Sequence, residues 1–365
     1  MRVNDSMKTL LILCVISFFA HMTYAQNSRT LTEASDLTIT GKLIKTANPY
    51  HRVDTSEFNG FSKTENFQIR CSSGLAVLFK TNSTSITILP VYGESRRSTV
   101  TPDLAQLGFD LYIKKNGEWI FAGSGVGKKL NDGKSITLIK DMDGTMKECM
   151  INLPMYSEML SVKIGTDKDS YISAIDSPFR HRVAIYGSSY TQGACISRPG
   201  MSYPNQFIRN TGIQLLNIGC GGNCKMQSYF AEVLKASEVD AMIFDCFSNP
   251  NAELIKERTI PFIKMIRESH PDIPLIFISS VYRENRNFSL KNEQYEQSKM
   301  DMAEEVMEKA VKEFENVYFI NIKSLTGKGH DSSVDGVHPS DMGYTSWAKE
   351  IEKPVMKILK RHGIK

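Results

Sequence analysis

The sequence lacks an excess of charge of one sign, and after its first 25 residues it lacks any apolar run long enough to cross a bilayer. Its 44 Lys and Arg residues nearly balance 40 Asp and Glu residues, which leaves a net charge of +4. No dense basic stripe with interleaved aromatic residues occurs, although nucleic-acid-binding proteins usually carry one. We therefore expect neither a nucleic-acid partner nor stable membrane insertion of the mature chain.

Cysteine spacings typical of zinc sites are also missing. Six of the seven cysteines follow the first 25 residues, and none forms the paired CxxC pattern of structural zinc sites. We expect no metal and no cofactor. Cys220 and Cys224 flank a Gly-Gly-Asn loop; they could bridge or stay as buried thiols, and spacing alone leaves both possibilities open.

The first 25 residues predict a secretory signal peptide. A basic start precedes an apolar run, Leu10 to Ala20, that is too short to span a bilayer. Small residues at Thr23 and Ala25 predict cleavage before Gln26. We expect export, to the periplasm or out of the cell; a membrane anchor is the alternative that the short run disfavours.

Residues 26–177 predict an all-β sandwich or jelly-roll accessory domain, because short segments alternate between apolar and polar residues and no helical stretch of convincing length interrupts them. The alternating segments are Leu37–Ile44, Phe67–Arg70, Ser85–Leu89 and Leu160–Ile164. Asn116-Gly117 between two such segments predicts a hairpin, and Asp141–Gly144 predicts a further turn.

Residues 178–365 predict an α/β domain with a parallel sheet covered on both faces, because near-continuous apolar strands alternate with helical segments. The predicted strands are Val183–Tyr186, Leu215–Ile218, Ala241–Phe244, Leu275–Ile278 and Val317–Ile320. The predicted helices are Gln227–Ala236, Glu253–Glu268, Asn292–Phe314 and Asp341–His362.

Polar segments follow four of these strands, at the sheet edge where ligands bind in such folds. They are Gly187–Gly193, Gly219–Asn223, Asp245–Pro250 and, beyond a loop, Asp335–His338. A serine hydroxyl becomes a good nucleophile when a base removes its proton, and a histidine oriented by a carboxylate is the usual base. The convergence of a serine and Asp-x-x-His at one edge of the sheet predicts a nucleophilic serine site.

These four segments resemble the SGNH (GDSL-like) hydrolases, whose exported members often carry an extra β domain. The resemblance covers residues 182–365 and implies a three-layer, flavodoxin-like domain. It implies Ser189 as nucleophile, with His338 and Asp335 as its catalytic partners. It also implies an oxyanion hole formed by the N–H groups of Ser189 and Gly222 and the amide of Asn249.

Two positions depart from the family pattern. The acidic residue that usually precedes the nucleophile is Ser188 here, so Ser188 stays open as the alternative nucleophile. The third segment has Phe247-Ser248 before Asn249, where the family has glycine.

The sequence and the resemblance together predict a serine esterase that works through an acyl-enzyme. The family context suggests acetyl groups on carbohydrate, so the expected partner is an acylated small molecule or carbohydrate. An acyltransferase on the same scaffold and a non-catalytic glycan-binding protein are the alternatives.

Overall fold

The computed structural model describes residues 29–322 and 325–365, so the predicted signal peptide lies outside the described residues. The strands are β1 (Arg29–Glu33), β2 (Thr38–Thr40), β3 (Ala76–Thr81), β4 (Ile86–Ser95), β5 (Phe109–Lys115), β6 (Glu118–Gly125), β7 (Ile136–Ile139), β8 (Lys147–Asn152), β9 (Ser157–Asp167), β10 (Ile172–Ala174), β11 (Arg182–Gly187), β12 (Gln214–Asn217), β13 (Ala241–Asp245), β14 (Leu275–Ile278) and β15 (Val317–Ile320). The α-helices are α1 (Lys63–Arg70), α2 (Asp103–Gln106), α3 (Ser189–Gln192), α4 (Tyr203–Thr211), α5 (Ser228–Lys235), α6 (Ala252–Arg267), α7 (Leu290–Glu313) and α8 (Asp341–Arg361). Short 3-10 helices cover Ala34–Asp36, Pro199–Met201 and Glu284–Arg286.

The N-terminal half is a sandwich of two antiparallel sheets, as predicted. One sheet has the order β1-β9-β4-β7, and the other has the order β10-β3-β8-β5-β6 with β2 also paired to β3. Side chains from both sheets meet in one core, where Phe79, Ile88, Ile151 and Val162 are fully buried.

The predicted hairpin joins β5 to β6. Asn116 and Gly117 have φ values of 53° and 86°, and paired positive φ angles match the twist of two-residue hairpins. The turn at Asp141–Gly144 has a different role, because it carries the chain from β7 in one sheet to β8 in the other.

The prediction of a strand at Phe67–Arg70, with no helix in this half, is wrong, because these residues form the second half of α1. The Ser62 side chain accepts the N–H of Glu65 while the Glu65 side chain accepts the N–H of Ser62, which is a capping box. Ile69 is fully buried in a core that belongs mainly to the second domain. The apparent alternation therefore reflects a helix with one face against that domain.

The C-terminal half has the predicted parallel sheet, in the order β12-β11-β13-β14-β15. Helices α5, α6 and α7 cover one face, and α4 and α8 cover the other. Each observed strand end lies within one residue of its prediction. Helix α4 went unpredicted, although Ser202 caps it and Pro204 stands in its first turn. The predicted domain boundary at 177/178 falls between β10 and β11 and stays a prediction.

The two halves pack closely against each other. Leu43 and Val53 from the first half are buried in the core of the parallel-sheet domain. Arg198 Nη1 lies 2.7 Å from the buried carboxylate of Asp110, across the same boundary. Among the helices of the described residues, none is long and apolar enough to cross a bilayer.

Candidate active site

The strand order places three of the predicted site segments side by side. β11 lies between β12 and β13, and all three strands run parallel. The helices that follow β11 and β12, α4 and α5, pack on opposite faces of the sheet. Their separation opens a crevice beyond the carboxyl ends of these strands. Ser189, Gly222 and Asn249 follow β11, β12 and β13 and therefore lie at this edge.

The turn between β11 and α3 is very tight. Ser188 has an extended backbone and accepts the N–H of Tyr190, so it caps α3. A Cβ on Gly187 would lie 1.9 Å from Thr191 Oγ1. Only glycine therefore fits at Gly187, and the turn brings Ser189 to the start of the helix.

The two adjacent serines lie in different surroundings. Ser188 is fully buried, with Oγ 3.5 Å from the Asp245 carboxylate. Ser189 is partly exposed, and its Oγ lies 2.9 Å from Nε2 of His338. The geometry thus brings Ser189, and not Ser188, to the histidine.

The loop before α8 holds His338 and Asp335 together. Asp335 Oδ1 accepts the backbone N–H groups of Val337 at 3.0 Å and His338 at 2.7 Å. Asp335 Oδ2 lies 2.9 Å from Nδ1 of the His338 ring. The His338 and Asp335 side chains are 22% and 25% exposed, so a substrate can reach the pair.

Electrostatics favour one arrangement of protons in this loop. Partial burial acts to raise the pKa of Asp335, but hydrogen bonds from the His338 backbone and ring and from Val337 outweigh burial and lower that pKa. A carboxylate accepts hydrogen bonds only, so Nδ1 of His338 carries the proton. Nε2 is then free to accept the hydroxyl proton of Ser189.

Hydrogen bonds that the sequence analysis did not predict also hold the loop that carries His338. The Tyr190 hydroxyl donates to the carbonyl of Val337 at 2.9 Å, and Arg283 Nε donates to the Tyr190 oxygen at 2.7 Å. The rings of Tyr190 and His338 meet edge to face, 5.7 Å apart. Tyr190 directly follows Ser189, so these hydrogen bonds connect Ser189 to the loop that carries His338.

Three hydrogen-bond donors at this edge of the sheet have no protein acceptor within the described residues: the N–H groups of Ser189 and Gly222 and Nδ2 of Asn249. Asn249 Oδ1 accepts the N–H of Cys224 at 3.2 Å, which turns the amide NH₂ the other way. Gly222 also lies near the serine, since a Cβ on its neighbour Gly221 would come within 3.3 Å of Ser189 Cβ. Such donors can stabilise a negatively charged oxygen.

Cys195 lies next to the acid–histidine pair. A ligand atom from each of Cys195, Asp335 and His338 lies within 4.8 Å of the others. Burial, followed by the nearby Asp335 charge, raises the pKa of the Cys195 thiol to about 11. A metal there would have to displace the thiol proton and break the Asp335–His338 hydrogen bond, so the arrangement fits a hydrogen-bonded pair better than a metal centre.

Cys220 and Cys224 are both free thiols and fully buried. Burial raises the pKa of Cys220 to about 12, so this thiol keeps its proton at neutral pH. The sequence left open whether the two cysteines bridge, and in the structure they do not.

A buried carboxyl group, Asp245, lies beneath the turn that carries Ser188 and Ser189. Its Oδ2 accepts the Thr191 hydroxyl at 2.8 Å and lies 3.4 Å from the Tyr203 hydroxyl. Burial raises the pKa of Asp245 from 3.8 to about 7, and its hydrogen bonds offset only part of this effect. The sequence placed Asp245 at the end of a strand but gave no sign of its partners, which come from distant segments.

This raised pKa predicts that stability falls as the pH rises. The folded state keeps the Asp245 proton up to about pH 7, whereas the unfolded chain releases it near pH 3.8. The stabilisation from protonated Asp245 is therefore complete below about pH 3.8 and is lost as the pH rises through about 7. We expect wild type to lose about 2 to 3 kcal/mol relative to Asp245→Asn between about pH 5 and pH 8. Urea unfolding at both pH values tests this, with a substitution of an exposed residue, Asp169→Asn, as control. An equal change in the free energy of unfolding for wild type and Asp245→Asn between the two pH values would contradict it.

Comparison with known proteins supports the fold and indicates the family of this chain. The model of the GDSL-like lipase/acylhydrolase family matches residues 180–357. A second model, for the N-terminus of esterases of the SGNH-hydrolase type, matches residues 30–172. A GDSL-like lipase from Bacteroides ovatus is 36% identical, with a TM-score of 0.88 over 91% of this chain and 98% of that one. The chain belongs to the GDSL-like lipase/acylhydrolase family.

Membership of the GDSL-like family confirms the predicted enzyme class, a carboxylic ester hydrolase. Two more distant structures share the fold. The salicylyl-acyltransferase SsfX3 from a tetracycline biosynthetic pathway is 15% identical with a TM-score of 0.70, and a family two carbohydrate esterase from Cellvibrio japonicus is 11% identical with a TM-score of 0.57. Both alignments cover 91% of this chain and 98% of the other. No curated protein matches the chain.

Proposed function

We propose that this GDSL-like hydrolase removes acetyl groups from carbohydrate through an acyl-enzyme on Ser189. The observation that carries the proposal is the pair of 2.9 Å contacts, from Ser189 Oγ to His338 Nε2 and from His338 Nδ1 to Asp335 Oδ2. This geometry is that of a nucleophile, its base and the group that orients the base.

In the first half of the reaction, Ser189 Oγ attacks the ester carbonyl carbon while its proton moves to His338 Nε2. The tetrahedral intermediate collapses to acetyl-Ser189 as the bond to the sugar oxygen breaks, and His338 gives its proton to that oxygen, which leaves as a hydroxyl. In the second half, His338 takes a proton from water, and the resulting hydroxide attacks the acetyl-serine. Acetate leaves and Ser189 regains its proton.

The negative charge of each tetrahedral intermediate lies on the former carbonyl oxygen. We propose that the unpaired N–H groups of Ser189 and Gly222 and the Asn249 amide donate to it. Loss of one such donor typically costs about 3 kcal/mol of transition-state stabilisation.

The substrate class rests on the family resemblance and on neighbours of the same fold. Among those neighbours is a family two carbohydrate esterase from Clostridium thermocellum, solved in complex with cellohexaose, at 12% identity and a TM-score of 0.58. We expect purified protein to release acetate from acetylated oligosaccharides and to prefer p-nitrophenyl acetate to p-nitrophenyl octanoate. Activity confined to the octanoate would contradict the acetyl specificity.

An acyltransferase is the second candidate, because the acyltransferase neighbour superposes better than the carbohydrate esterases. The same acyl-enzyme serves both reactions, and only the acceptor differs. Increasing concentrations of a free sugar in the acetate-release assay separate the two. Acetylated sugar formed at the expense of acetate would identify a transferase.

We also propose export of the protein, on the strength of the sequence of residues 1–25. The mature chain purified from its native host should begin near Gln26. An N-terminus that still carries the apolar run would overturn this proposal.

A further inference from the structure

Gln68, on helix α1 of the β-sandwich domain, reaches the glycine loop of the candidate active site. Its Nε2 donates to the carbonyl oxygen of Gly221 at 2.8 Å. Its Oε1 accepts Nδ2 of Asn223, also at 2.8 Å, so both ends of the amide are engaged. Gln68 is only 8% exposed, which makes this a buried contact between the two domains.

The Gly221 carbonyl accepts from Gln68 at 2.8 Å and, more weakly, from Asn223 Nδ2 at 3.2 Å, and its direction sets that of the next N–H group. The peptide joining Gly221 to Gly222 is trans and planar, so its C=O and N–H point in opposite directions. With the carbonyl held toward Gln68, the Gly222 N–H points away from Gln68. The preceding N–H, on Gly221, is also fixed, because it donates to Gln192 Oε1 at 2.8 Å.

Arg52, also from the first domain, holds the rest of this arrangement in place. It is fully buried and donates to the carbonyl of Gly219 at 2.9 Å, at the start of the glycine loop. It also donates to the carbonyls of Gln68 at 2.5 Å and Cys71 at 2.9 Å, at the end of α1. One guanidinium thus binds the glycine loop and the helix that carries Gln68.

We infer that Gln68 is a positioning residue for catalysis, which aims the Gly222 N–H at the developing oxyanion. The β-sandwich domain thereby completes the oxyanion hole of the other domain. The inference rests on the proposed esterase function. It adds a role for a residue outside residues 180–357, the segment that matches the GDSL-like family model. Gln68 acts through the Gly221–Gly222 peptide and does not touch the substrate.

Gln68→Leu tests the inference, because it keeps the size of the side chain and removes both hydrogen bonds. We expect kcat/KM for p-nitrophenyl acetate to fall about 10- to 100-fold while KM changes less than about threefold. The Ki of a trifluoromethyl ketone, whose serine adduct carries an oxygen anion, should rise by the same factor. A variant that is only partly folded would lose kcat without any change in that Ki. Glu65→Gln is the matched control, since Glu65 also crosses the domain boundary from α1 but binds Tyr229 and Gln227 instead.

Gln68→Glu gives a second readout, which serves if the leucine variant does not fold. An ionised glutamate can still accept from Asn223 but cannot donate to Gly221, whereas a protonated one can donate. The ratio of its kcat/KM to that of wild type should therefore rise as the pH falls from about 8 to about 5.

The outcomes separate this inference from the esterase proposal. A wild type without ester turnover would overturn both. The role of Gln68 alone would be overturned if wild type is active and Ser189→Ala is inactive, but Gln68→Leu has kcat/KM within about twofold of wild type. In that case the ratio of kcat/KM for Gln68→Glu to that of wild type would also be independent of pH.

Discussion

Replacing Ser189 with alanine should lower kcat/KM for p-nitrophenyl acetate by at least about 10⁴-fold, because the acyl-enzyme can no longer form. The remaining rate should reflect only binding and oxyanion stabilisation. Thermal unfolding should change little, since Ser189 is partly exposed and, among the described residues, its hydroxyl forms a hydrogen bond with the His338 ring alone. Initial rates and melting curves of purified protein test both statements.

Ser188→Ala is the matched control for this substitution. Ser188 is buried, and its hydroxyl accepts the N–H of Tyr190 at the start of α3 and lies 3.5 Å from the Asp245 carboxylate. We expect this variant to keep most of its activity and to lose about 1 kcal/mol of stability with the cap. The reverse result, with Ser188→Ala inactive and Ser189→Ala active, would show that Ser188 is the nucleophile and contradict the assignment to Ser189.

Asp335→Asn should lower kcat by about 10⁴-fold while the loop keeps its shape. The asparagine Oδ1 can still accept the backbone N–H groups of Val337 and His338, which Asp335 binds now. Its NH₂ group would, however, donate to Nδ1 of the ring and force the proton onto Nε2. That tautomer cannot accept the proton of Ser189. Steady-state kinetics on the same ester measure the loss.

Asp331→Asn serves as the control for Asp335→Asn, because Asp331 is an exposed acid in the same loop region. It should leave kcat within about twofold of wild type. An Asp335→Asn enzyme with nearly full activity would show that His338 does not depend on this carboxylate for its orientation.

The sequence was most informative about the parallel sheet and the segments that follow its strands. Continuous apolar strands separated by amphipathic helices leave few alternative arrangements, and the carboxyl ends of parallel strands meet at one edge. The strand order then brings Ser189 next to the glycine and asparagine segments. The contact between Ser189 and His338 also needs the long segment between β15 and α8, which brings Asp335 and His338 back to this edge.

The alternation of apolar and polar residues at Phe67–Arg70 predicts a strand where the structure has helix α1. Phe67 and Ile69 are apolar and flank Gln68, which suits a strand, yet the three residues belong to a helix. Ser62 and Glu65 formed a recognisable helix start, and that signal should have outweighed four residues of alternation. The helix then buries Ile69 in the core of the other domain, which no local pattern reveals.

The contacts of Gln68 and Arg52 could not be predicted from the sequence. Their partners, Gly221 and Gly219, lie more than 150 residues away along the chain. Glutamine and arginine are also common on exposed helices, so neither residue type signals a buried role. Only the packing of one domain on the other brings them to the glycine loop.

The central claim is that Ser189 carries the acyl group during turnover. Rapid acid quenching of wild type with excess p-nitrophenyl acetate, followed by peptide mapping with mass spectrometry, tests it directly. The account predicts a single acetyl group on Ser189, which is absent from the Ser189→Ala protein and long-lived in any variant that slows deacylation. An acetyl group on Ser188, or ester turnover with no covalent intermediate in any variant, would contradict it.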